Sequence, residues 1–234
     1  MKDIISLDSP IDVQYLMHKA YCDVSMQVEE MAQDIQDGGD PEPFTEAFGL
    51  WGKHLLYHAG VEDLHMTGPL KNSQPARDNE AEHAGLARQA KEFVAFLKKG
   101  NAAALEASLS GILAFEEHQH QELERRLRDV EEVLTEEMNG DAVLARTRRH
   151  LYSRVVALRV AEFDHFENEE AFVFPVIRER LDERQQLEVA RRLLFDEDSD
   201  DPRWIIDWLA DALEPADRQL LTELEHRIME PPLG

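Results

Sequence analysis

His58-Ala-Gly-Val-Glu62 and His165-Phe-Glu-Asn-Glu169 each place an imidazole and a carboxylate four residues apart on an otherwise apolar stripe. In an α-helix that spacing stacks the two side chains on one face, one turn apart. The spacing alone is not rare. Acidic residues hold 49 of the 234 positions, so ten histidines would meet one at i+4 about twice by chance. Five do: His58, His118, His120, His165 and His226. Phase separates them. Around His58 the stripe reads Phe44, Phe48, Trp51, Leu55, His58, Glu62, apolar for three turns and then polar without leaving the face. Around His165 it reads Leu144, Leu151, Val155, Leu158, Glu162, His165, Glu169, Phe172, Val176. Ionisable groups on a core-facing stripe are costly unless they pair or bind a cation. Two such helices facing each other would hold two imidazoles and two carboxylates around one point, a donor set that suits iron, manganese or zinc.

The rest of the chain favours an all-α protein. It is rich in Leu, Ala, Glu and Arg, and long stretches lack Gly and Pro. A net charge of −24 argues against binding to nucleic acid or an anionic membrane. The single Cys22 leaves no intrachain disulfide and no cysteine-rich zinc or iron–sulfur site; its place one turn after His18 reads as a small buried residue. No run of 18 apolar residues marks a membrane span, and the first ten residues lack the apolar stretch of a secretory signal. A cytoplasmic protein is the expectation.

Punctuation by Gly and Pro divides the chain. Ser9-Pro10 predicts the start of a helix running to about Asp37, where Gly38-Gly39-Asp40-Pro41 stops it. A second is expected from about Glu42 to Met66, ending before Gly68-Pro69. A third spans about Asn79 to Lys99, a fourth Ala102 to Met138 and a fifth Asp141 to Phe174. Shorter helices follow at about Glu183–Phe195, Arg203–Leu213 and Pro215–Ile228, with an acidic loop from Asp196 to Asp201. The domain expectation is a helical metal-binding bundle over 1–182 and a helical extension over 183–234 packed on it.

Antiparallel hairpins set the heights of the histidines. His18 lies 20 residues before Gly38 and His58 lies 17 after Pro41, so they come out nearly level. His120 and His165 flank the Asn139-Gly140 turn and also come out level, within about two turns. Four helices can therefore bring His18, His58, His120 and His165 into one layer. Glu116 shares the stripe of His120, one turn before it, and Glu162 shares that of His165; both are further candidate ligands. His118 points about 200° away from His120. His54, one turn before His58, is a candidate to orient a ligand by hydrogen bonding. His65, His150 and His226 read as surface residues.

These residues resemble the hemerythrin-like family, the bundles with a His-His-Glu cation-binding domain. Its pattern is a His on the first helix, His-x-x-x-Glu on the second, a His on the third and His-x-x-x-Glu on the last. His165-Phe-Glu-Asn-Glu-Glu-Ala-Phe-Val-Phe-Pro is similar to the family's last helix, and His58-Ala-Gly-Val-Glu-Asp, followed by Gly-Pro-Leu, to its second. The likeness covers about Ile11 to Arg180, and the segment with Trp204 and Trp208 resembles the helical tail that often comes after this domain. The resemblance implies an up-down four-helix bundle, here with an extra helical hairpin and a short-helix extension. It also implies a non-haem di-iron site with His18, His58, Glu62, His165 and Glu169 as ligands.

The middle of the chain leaves two arrangements open. In one, about 79–115 is an inserted hairpin and His120 completes the site. In the other, His83 and His118-x-x-x-Glu122 belong to the bundle and the helix of His165 is an addition. The functional expectation is a protein that binds or senses O2, NO or peroxide. Its alternatives are an enzyme acting on peroxide or NO at the same site, and a metal-free helical interaction module.

Overall fold

Asp12 sets how the chain enters its first helix. Its carboxylate accepts the Ser9 backbone N–H at 3.0 Å and Nε of Arg178 at 2.9 Å, pinning a 3-10 turn, Pro10–Asp12, to a distant part of the chain. α1, Val13–Gln36, comes next and ends at Gly38, whose φ of +104° suits a residue without a Cβ. The computed structural model describes residues 5–71, 102–134, 138 and 145–230, with no strand among the described residues. The helix expected at Asn79–Lys99, and His83 with it, lies outside them.

α2 spans Glu42–Val61. It does not stop before Gly68-Pro69, as the composition suggests. A π turn, Glu62–Thr67, carries it into α3, Gly68–Lys71. The Thr67 hydroxyl donates to the Glu62 carbonyl, five residues back, at 3.3 Å. The second His-x-x-x-Glu helix does the same. α5, Ala145–Asn168, passes through a π turn, Glu169–Val173, into α6, Phe174–Arg180, with Pro175 near its start. Proline has no N–H to lose where the regular ladder is already broken. The widened turn also shifts the helical phase, so Val173 rather than Phe172 is fully buried beyond Glu169.

α4, Ala102–Glu132, lies between α2 and α5. α1 packs most extensively on α5, and the four long helices enclose one core in which Trp51, Tyr21, Phe44, Phe166 and Phe174 are the largest buried side chains. α7, Glu183–Leu194, is capped by Asp182, which accepts the Gln185 backbone N–H at 2.8 Å. It buries Val189, Ala190, Leu193 and Leu194 against the 3-10 turn, the first π turn and α2. α8, Trp204–Ala212, and α9, Pro215–Met229, complete the extension against α1 and α7. No helix among the described residues is long and apolar enough to cross a membrane.

Glycines in α2 report on this packing. A Cβ on Gly52 would come within 3.0 Å of Leu127 Cδ1, whereas one on Gly60 would meet open space. Gly52→Val should destabilise the fold by about 1–3 kcal/mol through overpacking between α2 and α4. Gly60→Ala should stabilise it by about 0.5–1 kcal/mol. Urea denaturation of the two variants checks both signs.

Candidate metal centre

Four helices deliver the inward polar groups to one level. α1 supplies His18, α2 His58, α4 Glu116 and His120, and α5 His165, while Glu62 and Glu169 open the two π turns. All seven are buried. They form two overlapping sets whose donor atoms converge within 4.8 Å: His18, His58, Glu62 and Glu169, and Glu62, Glu116, His120, His165 and Glu169. Glu62 and Glu169 belong to both. His58 Nε2 is 3.1 Å from Glu62 Oε1, and His120 Nε2 is 3.3 Å from Glu62 Oε2, so one carboxylate faces both sets. His18 Nε2 lies 3.2 Å from Glu169 Oε2, and His165 Nε2 3.7 Å from the same oxygen. His120 Nε2 lies 3.0 Å from Glu116 Oε1.

The far side of two imidazoles is also held. His18 Nδ1 is 3.2 Å from Glu170 Oε1, and His120 Nδ1 is 3.1 Å from Asp63 Oδ1. A carboxylate on the outer nitrogen fixes the ring and turns the inner nitrogen toward a cation. Gln14 donates from Nε2 to Glu62 Oε1 at 2.5 Å. Phe166 stacks on His18 with ring centroids 4.0 Å apart, and Tyr21 lies 5.0 Å from His58, so aromatic surface separates the polar layer from solvent.

Burial dictates the protonation. It pushes His18 and His165 down to about 3 and His58 well below its ordinary value, leaving neutral imidazoles with free lone pairs. Burial raises Glu62 to about 7 and Glu169 well above the usual carboxylate range, with Glu116 and Glu62 adding to the rise at Glu169. His120 is the exception. Burial opposes its charge, but Asp63, Glu116 and Glu62 outweigh burial and raise it to about 12. Burial likewise pulls Glu116 up, and His165 and His120 reverse it to a net lowering.

Nε2 of His18, His58 and His165 has no hydrogen-bond partner although each is fully buried. Unpartnered imidazole nitrogens and shared carboxylates facing one space fit a metal ion. The buried cluster can therefore hold one, and its imidazole and carboxylate donors suit iron, manganese and zinc.

No family model, curated protein or solved structure matches the chain.

The structure brings His18, His58, Glu62, His120, His165 and Glu169 together, and with them Glu116, one of the further candidates from the sequence. His118 is exposed on the outer face of α4, and Glu122 pairs with Arg125 and Arg126 at the surface, so neither reaches the centre. His54 is buried but does not orient a ligand. Its ring packs between Trp204 and Trp208, at 4.5 and 4.0 Å, because α8 covers that part of α2. His226 is exposed, and His65 and His150 are half-buried away from the cluster. Cys22 is buried, and burial raises its thiol far above the ordinary range. Sequence reasoning missed Gln14, Asp63 and Glu170. The acidic residue directly after each inward glutamate was the available signal for the last two.

Glu162 is buried but stands outside both sets. Its Oε1 accepts from Trp51 Nε1 at 2.7 Å. Burial raises its carboxyl from 4.5 to about 8, with Ser25 and Trp51 partly opposing the rise. A raised folded-state value means stability that is full below 4.5 and is lost as pH climbs through about 8. Glu162→Gln keeps an acceptor for Trp51 and removes the titration. Its unfolding free energy, read by urea denaturation, should fall less than the wild type's between pH 6 and pH 9, by at most about a few kcal/mol. Equal losses in both proteins would contradict a neutral buried Glu162.

Proposed function

We propose that the chain is a non-haem di-metal protein of the hemerythrin-like kind, with iron as the metal, that binds or senses a small ligand such as O2, NO or peroxide. The observation that carries this reading is the pair of buried ligand sets sharing Glu62 and Glu169. Bound iron would supply one-electron chemistry and an open position for a small ligand. The chain's own residues do the rest. Glu62 and Glu169, which belong to both sets, would hold both ions, and His18, His58, His120 and His165 would each supply an imidazole donor. Asp63 and Glu170 hold two of the rings. Phe166, Tyr21 and Met66 keep bulk water from the layer, which limits side reactions.

Glu116 favours a second reading. A third carboxylate in the cluster makes one position richer in oxygen donors, which suits an enzyme acting on peroxide or NO better than a carrier.

Elemental analysis after anaerobic loading with Fe(II) and desalting tests the proposal. About two irons per chain are expected, with near-complete loss in His58→Ala/His165→Ala. No retained iron, manganese or zinc would leave a metal-free helical module. The sign of the pH dependence is also fixed. His120, Glu62 and Glu169 carry raised values and must lose their protons to bind a cation. Metal retention should therefore be weaker at pH 6 than at pH 8, and uptake should acidify a weakly buffered solution.

A further inference from the structure

Two halves of the chain carry the same pattern, and they differ in charge at one position. Gln14-x-x-x-His18 on α1 matches Glu116-x-x-x-His120 on α4. His58-x-x-x-Glu62-Asp63 matches His165-x-x-x-Glu169-Glu170, and a π turn begins at each of these glutamates. The contacts cross in the same way. His18 reaches Glu169 and Glu170, both at 3.2 Å, and His120 reaches Glu62 at 3.3 Å and Asp63 at 3.1 Å. Gln14 bonds to Glu62, and Glu116 lies in one cluster with Glu169. The correspondence exchanges Gln14 with Glu116. It maps His18, His58, Glu62 and Glu169 onto His120, His165, Glu169 and Glu62, and only the second set has a further carboxylate.

We propose that Gln14 makes the two metal positions unequal: the position beside Glu116 fills first and holds its ion tightly, and the position beside Gln14 fills second and weakly. This rests on the metal reading above. Each position draws on the same two shared carboxylates and on two imidazoles, so the difference in charge between Glu116 and Gln14 is what separates them. Ligand charge count is a principal control of cation affinity, and it counts for more in a buried site. The second ion also meets the charge of the first across the shared carboxylates. Gln14 is built into this place. Its side chain is fully buried, Nε2 is committed to Glu62, and Oε1 has no hydrogen-bond partner. An amide there has nearly the shape of a glutamate and none of its charge.

Anaerobic titration of the full metal-free chain with Co(II), followed by calorimetry and visible absorption, tests the assignment. The wild type should bind two ions in steps separated by about tenfold or more in affinity. Gln14→Glu should strengthen the second step and narrow the gap. Glu116→Gln should weaken the first and bring both to similar low affinity. A wild type that takes one Co(II) where Gln14→Glu takes two would support the proposal equally. Two equal steps in the wild type would overturn it, as would affinities or stoichiometry unmoved by either substitution. No Co(II) uptake by any of the three would overturn the metal reading itself. Circular dichroism of each metal-free variant reports its fold. Glu116→Gln removes a buried charge, so it reads the proposal even if Gln14→Glu, which adds one, does not fold.

Discussion

Three carboxylates and four imidazoles share one buried layer, and the rest of the structure answers to the cost of placing them there. Taking an ionised carboxylate out of water costs about several kcal/mol even after the surroundings relax. Glu62, Glu116 and Glu169 sit together, so mutual repulsion adds to that cost. Without a cation the layer can only share protons, and the raised His120, Glu62 and Glu169 describe that compromise. A divalent ion at each set would relieve burial and repulsion at once. Apolar packing above and below must meanwhile hold the layer together. Trp51, Leu55, Leu158, Phe166 and Phe174, all nearly inaccessible to solvent, do so.

The π turns are the local device that makes such a layer possible on regular helices. A straight helix offers one residue per turn to a given line, which places a His and a Glu at i and i+4 but leaves the next residue pointing away. Opening the turn at Glu62 and Glu169 rotates the side chains beyond each glutamate. Asp63 then reaches the outer nitrogen of His120, and Glu170 that of His18. The same turns admit Pro69 and Pro175 soon afterwards, where a regular helix would have kinked. Backbone irregularity, the carboxylates on the outer imidazole nitrogens and proline placement thus have a common origin.

Much of this was legible in the residues. Helical stripes ending in His58-x-x-x-Glu62 and containing His165-x-x-x-Glu169 mark both the class of fold and the inward face, because a polar group on an apolar stripe has few places to go. Hairpin arithmetic brings His18 level with His58 and His120 level with His165. Phase beyond the glutamates could not be read, since a π turn has no sharp signature. A regular helix puts Phe172 inward, and the structure buries Val173 more deeply. Nor could the role of His54 be read, because its fate is decided by Trp204 and Trp208, about 150 residues away in sequence. His120 was readable over His118 because it shares an apolar stripe with Glu116, whereas which part of that α4 face meets α2 is a tertiary fact that spacing within one helix does not contain.

The C-terminal extension acts on the centre through that distant contact. Trp208 lies 5.2 Å from Tyr21 and 4.0 Å from His54, and Tyr21 lies 5.0 Å from His58 while donating its hydroxyl to the His54 carbonyl at 3.1 Å. Lys53 covers the Trp204 ring at 3.8 Å, and Tyr57 ties α2 to α7 through the Arg192 carbonyl at 2.8 Å. α8 therefore closes the side of the bundle where α1 and α2 would otherwise leave His54 and His58 near solvent. Both nitrogens of His54 are left without partners there, and burial lowers that imidazole to about 4. The aromatic wall that buries this neutral ring also stands beside His58 and covers the polar layer. Dryness of the centre is thus a property of the bundle and its extension together.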